Sequence, residues 1–218
     1  MDVTDAARPR YLAHIPGAAG GGEQGGAQMA RVCDRQGKTY LLRTFGNAVP
    51  NSGHEVWDVS DPAKPRKVST VVTGLTSTHK NYWECDTGTA YLISGDLAKP
   101  DPLQPGPSGW RTSRMTKIYD LSDPAKPVFV RDFGLAGQEP GSTAPGPVPP
   151  GAHGPMVLGN RVYFAYGTSA DGICRSSTAR SSSPEGRSRP RPTSTRPRSA
   201  GSTCRPTGAA TPRSPCSG

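Results

Sequence analysis

Ten residues stand in this chain twice. Val56-Trp57-Asp58-Val59-Ser60-Asp61-Pro62-Ala63-Lys64-Pro65 returns 62 positions later as Ile118-Tyr119-Asp120-Leu121-Ser122-Asp123-Pro124-Ala125-Lys126-Pro127. Each copy reads as an apolar strand, a turn on Ser-Asp-Pro, and a proline that opens the next strand. In the turn the aspartate can accept hydrogen bonds from its own backbone, and Pro62 and Pro124 preset φ at the second turn residue. Pro65 and Pro127 lack an N–H, which suits the start of an outer, edge-facing strand. A spaced repeat of this kind fixes architecture before it says anything about chemistry.

From Gln28 onward, short β-branched and aromatic runs alternate with turn residues, and no stretch keeps a helical period. Residues 30–34, a Gln36-Gly37 turn and residues 39–43 precede the first copy, and residues 68–72 follow it. The series restarts at 82–86, turns at Thr87-Gly88, and runs through 90–93, the second copy and 128–133. It restarts once more at 155–158, turns at Gly159-Asn160 and continues as 162–166. Cys33-Asp34 matches Cys85-Asp86, and His79 before the second unit matches His153 before the third. Each unit supplies four strands, the number in one propeller blade. The fold predicted for residues 28–172 is all-β, a partial β-propeller of about two and a half four-stranded blades.

The repeated phrase resembles the LVIVD repeat, a β-propeller repeat in which an aliphatic strand ends in Asp-Val-Ser-Asp-Pro before a Pro-led strand. The matching residues are Val56 to Pro65 and Ile118 to Pro127, and the likeness spans about residues 28–172. The histidine that starts the innermost strand is similar to that family's as well. WD-repeat propellers also place Trp-Asp at this strand end, as at Trp57-Asp58. However, Tyr119 replaces the Trp in the second copy, and Gly53-His54 stands too close to Trp57 to be their Gly-His element. The resemblance implies a binding or scaffold module that presents loops and a central channel to a partner protein or a small ligand. It also implies export. No export signal is visible, because residues 1–5 start acidic and no apolar run of signal-peptide length follows, so the compartment stays open. No stretch approaches the ~20 apolar residues of a membrane span.

Of the 218 residues 33% are hydrophobic, and 27 glycines and 24 prolines bring the chain close to low-complexity composition. Residues 1–27 form a Gly-rich lead-in, without the flanking strand and helix that a phosphate-cradling loop needs. A flexible or close-packed loop is expected there. Of the formal charge of +9, residues 173–218 carry nine arginines against one glutamate, which leaves a net of +1 for the rest. The body is therefore nearly neutral and gives no sign of a nucleic-acid partner.

Residues 173–218 contain no Val, Leu, Met, Phe, Tyr or Trp and are expected to be a disordered Arg/Ser/Pro-rich tail. A third copy of the phrase is due where Ser176-Ser177-Thr178 stand. Codons can be chosen for this stretch such that one restored C after Ile173 yields Ile-Leu-Gln-Ile-Val-Asp, with its Asp in the slot of Thr178. A tail read out of frame, behind a propeller fragment, is the expectation. The competing reading is an RNA-binding tail, which lacks the interleaved aromatics that stack on single strands.

Familiar catalytic motifs are missing: there is no G-x-S-x-G, H-E-x-x-H, Walker loop or C-x-x-C pair. His79 and His153 are the leading candidates, both at the start of innermost strands and approaching the central channel from one end. There they can bind a ligand, contribute to a divalent-metal site, or act as acid or base; alternatively each caps a loop. Two imidazoles do not complete a metal site, so a non-catalytic module leads and a histidine-lined propeller enzyme is the alternative. His54 sits ahead of a third strand, out of register with the other two, and His14 lies in the lead-in. Cys33 and Cys85, on neighbouring units, form a disulfide in an oxidising compartment, or remain two buried thiols. Loops 95–114, with Trp110-Arg111, and 134–152, rich in proline, are candidate partner-binding faces. Trp110 reads equally as a pin holding its loop to a blade. No cofactor is evident from the residues.

Overall fold

The computed structural model describes residues 1–17, 29–46, 52–96, 108–167 and 172–178. Among them are eleven strands and no helix, in three antiparallel sheets. The first sheet is a meander of β1 (Ala30–Arg35), β2 (Lys38–Phe45), β3 (Gly53–Asp58) and β4 (Arg66–Thr73). The second repeats it with β5 (Asn81–Trp83), β6 (Thr89–Ser94), β7 (Met115–Asp120) and β8 (Val128–Phe133). The third contains β9 (Ala152–Leu158), β10 (Arg161–Tyr166) and β11 (Ile173–Thr178), with β10 in the middle. Among the described residues no helix is long and apolar enough to cross a membrane.

The two copies of the phrase build the same corner. Asp58 Oδ1 accepts the Ser60 N–H and Asp61 Oδ1 the Ala63 N–H, each at 3.0 Å. In the second copy Asp120 Oδ1 accepts from Ser122 at 2.8 Å and Asp123 Oδ1 from Ala125 at 3.0 Å. The N–H groups of Lys64 and Lys126 then close on the Asp61 and Asp123 carbonyls, both at 2.9 Å. These local bonds fix the direction in which the chain leaves β3 and β7. Pro65 and Pro127 stand immediately before β4 and β8, which are edge strands of their sheets. Register shifts at Val56/Trp57 and at Ile118/Tyr119 leave Val68 of β4 and Val130 of β8 as bulged residues, opposite the same point of the phrase.

The third corner departs from the sequence expectation. Residues 173–178 are not the beginning of a disordered tail; they are β11, paired with β10 from Tyr166↔Ile173 to Arg161↔Thr178. Backbone N–H and C=O groups pair whatever side chains they carry, so a polar run can complete the ladder that β10 offers. Thr178 lies opposite Arg161 as Asp120 lies opposite Thr89, and Ser177 and Ser176 take the places of Tyr119 and Ile118. The expected boundary at 173 therefore moves past Thr178. Residues 179–218, the rest of the stretch expected to be out of frame, lie outside the described residues, as do 18–27 of the Gly-rich lead-in and residue 28.

The sheets stack face to face, and the middle one is covered on both sides. Along β6, Ala90 and Leu92 join Leu42, Val56 and Trp83 in the core shared with the first sheet, while Tyr91 and Ile93 join Ala152, Val162 and Phe164 in the core shared with the third. A side-chain period of two thus divides one strand between two cores. Each fully buried aliphatic such as Leu92 contributes about 1.5–3 kcal/mol. The lead-in, in its described part, rests on the first sheet. Arg43 donates to the Ile15 carbonyl at 3.0 Å and to the Pro16 carbonyl, while pairing with Glu55 at 2.7 Å. Burial by itself would raise the Glu55 carboxyl, but Lys67, Trp57 and Arg43 together hold it below its ordinary value.

Candidate functional site

β5 and β9 begin the second and third sheets and pack against each other. His79 lies just ahead of β5, and its N–H donates to the Ile93 carbonyl at 2.9 Å. Ile93 returns a bond to the Lys80 carbonyl at 2.8 Å, so the β5–β6 ladder reaches back to both residues. In β9 the register slips by one: Gly154 faces Ala165, Ala152 faces Tyr166, and His153 is the bulged residue between them. The outcome is contact. The His79 and His153 ring centroids are 4.8 Å apart, tilted by 55°.

Two cations complete the cluster, and the sequence reading missed both. The Lys80 stem crosses Gly154, where an added Cβ would lie 3.0 Å from Lys80 Cδ, so glycine keeps the crossing open. Arg114 precedes β7, and its carbonyl accepts the Ala152 N–H at 3.1 Å, which ties the start of β9 to the second sheet. Burial lowers the His79 imidazole to about 4, and Arg114, His153 and Lys80 push it the same way. Burial, followed by Lys80 and Arg114, lowers His153 as well. Both shifts favour the neutral imidazole at pH 7.

The two proline-rich loops meet each other beside this cluster. Wholly buried Gln138 donates Nε2 to the carbonyls of Pro150 at 2.8 Å and Pro149 at 3.0 Å, and its Oε1 accepts the Leu135 N–H at 2.8 Å. Its own carbonyl accepts the Arg111 N–H at 2.8 Å. Trp110 packs beside Gly134, where an added Cβ would lie 2.6 Å from Trp110 Cζ3. Exposed Arg111 donates Nη1 to the Ser142 carbonyl at 3.0 Å. Trp110 and Arg111 thus both contact the second loop, at Gly134 and at Ser142. Residues 97–107 of the first loop lie outside the described residues.

His54 is inside β3 rather than ahead of it, and it is wholly buried. Its Nε2 is 2.8 Å from Ser94 Oγ across the first and second sheets. Burial, with Lys117 nearby, pushes this imidazole down to about 3. Lys117 pairs with Asp132 at 3.2 Å, both nearly buried. A histidine at hydrogen-bond distance from a serine hydroxyl is the geometry of an activated nucleophile. Here neither side chain has exposed surface, so no substrate reaches them, and the set acts as a polar lock between sheets.

No family model and no curated protein matches the chain. Cys33 and Cys85 form a disulfide with a Cα–Cα distance of 5.3 Å. The ladder sets them at unlike positions: Cys33 faces Tyr40 within β1, whereas Cys85 lies in the turn beyond β5. Cys174, on β11, is a free exposed thiol. Among the described residues no three His, Cys, Asp or Glu side chains form a group able to hold a metal ion. Two shallow surface hollows, one at Asp2 to Arg10 and one at Asp34 to Thr39, contain no residue of either histidine cluster.

Proposed function

We propose that this chain is a binding module of LVIVD-type β-propeller repeats, with its ligand site where the first strands of successive repeats meet at His79 and His153. The observation that carries this reading is the 4.8 Å approach of the two rings from equivalent strand starts. Repeated units stack equivalent residues side by side and so create surfaces that no single unit has. The matching corners at Asp58–Asp61 and Asp120–Asp123 support a repeat of propeller type, as do meanders that run in the same order. In this reading the three sheets are consecutive blades of a ring that needs at least four. The disulfide favours maturation in an oxidising compartment.

Binding fits the cluster better than catalysis. It offers neutral imidazoles whose basicity is lowered by burial and by the neighbouring Lys80 and Arg114, the reverse of what a general base needs. A histidine-lined metal enzyme is the weaker reading, because Lys80 and Arg114 repel a divalent ion and two imidazoles leave its coordination half-filled. Aromatic NMR of the full chain, screened against anionic, cationic and neutral fragments, tests the proposal. The His79 and His153 resonances are expected to move together for at least one class. A screen that moves neither, or moves only Trp110, contradicts it.

A further inference from the structure

We propose that β8 pairs edge to edge with β8 of a second copy of this chain, antiparallel and about a two-fold axis, so that the second sheets of the two copies join. Among the described residues β8 has a neighbouring strand on one side alone, β7. The open edge of such a strand presents a row of backbone N–H and C=O groups that another strand can take up. Along β8 stand Val128, Phe129 and Val130, exposed by 57%, 51% and 53%, and then exposed Arg131. Single exposed apolar residues are ordinary on a protein surface. Three in succession on an outer strand, all of high β-propensity, make a template for strand addition.

The first sheet supplies the comparison. Arg66 faces Asp58 as Val128 faces Asp120, Lys67 faces Trp57 as Phe129 faces Tyr119, and Val68 and Val130 are the bulged residues. Arg66 pairs with Asp58 at 3.4 Å and Lys67 with Glu55 at 2.9 Å. Ser69 Oγ donates to the Pro124 carbonyl at 2.7 Å, which ties β4 to the neighbouring corner. Charged side chains on an outer strand discourage strand addition, and β8 has apolar residues in both of those places on the same backbone. β11 reads Ile-Cys-Arg-Ser-Ser-Thr and has no apolar run. The partner that fits β8 is a preformed, β-prone strand with an open edge of its own, and another β8 is such a strand. Antiparallel pairing brings the Arg131 end of one copy against the Val128–Phe129 end of the other, cation beside aromatic; parallel pairing would set Arg131 against Arg131. Because both copies use the same patch, the contact closes at two.

Sedimentation velocity of the full chain, from about 1 μM to about 500 μM, should show a monomer–dimer equilibrium. Val128→Arg, which places the β4 residue at the equivalent position, and Val130→Lys should each raise the dissociation constant by about tenfold or more. Both sites are exposed, so the urea midpoint at a concentration where the chain is monomeric should stay that of the parent. Phe129 is left in place because its ring packs edge-on against Tyr119, with centroids 5.4 Å apart. Leu158→Lys, at an exposed apolar site on β9, should leave the dimer intact. Isotope-filtered spectra of a mixed labelled and unlabelled sample should contain cross-peaks between the β8 side chains of the two copies. A monomer throughout the range overturns the inference, as does open-ended association. So does a dimer that survives both β8 variants, or one that dissociates with Leu158→Lys alone. Cross-peaks from β8 to residues beyond Thr178 of the same copy, with none between copies, give that edge to the chain itself and overturn it as well.

Discussion

His54 and His79 are both poor bases, and burial is the first cause in each. For a histidine whose folded value lies below its ordinary one, the unfolded chain binds the extra proton. Stability is therefore complete above about pH 6.5 and is lost as pH falls toward the folded value. His54, at about 3, carries the larger share, because it is wholly buried and Lys117 from β7 adds a positive charge nearby. Urea unfolding of the full chain should move to lower midpoints as pH drops from 7 to about 5. His54→Gln, which cannot take up the proton and still reaches toward Ser94, should flatten that dependence. An unchanged slope in the variant would place the acid sensitivity elsewhere.

The elements are governed by local geometry wherever the sequence could be read. Between β1 and β2, Arg35 faces Lys38 across two residues, with φ of 51° at Gln36 and 72° at Gly37. Positive φ at both positions is a type I′ hairpin, which favours Asn at the first. Gln36→Asn should relieve part of the roughly 1–2 kcal/mol cost of left-handed backbone and so raise the unfolding free energy in urea titrations, and a loss would contradict the turn type. The corners at Asp58 and Asp120 were legible for the same reason, since an aspartate two residues from its donor needs nothing distant. β11 was not legible: its pairing comes from the backbone of β10, while its side chains carry no apolar pattern. His54 was misread because β3 begins at Gly53, upstream of the apolar run that marked it. Lys80 and Arg114 were invisible because each acts on residues that only sheet stacking brings near, and Gln138 because its partners Pro149 and Pro150 are reached only when its own loop folds back.

At the scale of the molecule, two clamps hold three sheets. The Cys33–Cys85 bond joins the first two across 52 residues, which the chain-entropy estimate values at about 4 kcal/mol. The double variant Cys33→Ser/Cys85→Ser should therefore lose about 2–4 kcal/mol in urea unfolding, and no loss would mean that the bond clamps nothing. The second and third sheets are held by the Tyr91–Phe164 and Phe133–Phe164 contacts, the Arg114–Ala152 bond and the histidine pair. That pair is where architecture and proposed function coincide. A nuclear Overhauser spectrum of the full chain reads it directly. Ring centroids 4.8 Å apart predict a cross-peak between the His79 and His153 ring protons. Its absence, in a spectrum that retains the β5–β6 and β9–β10 cross-strand peaks, would contradict both the stacking and the site.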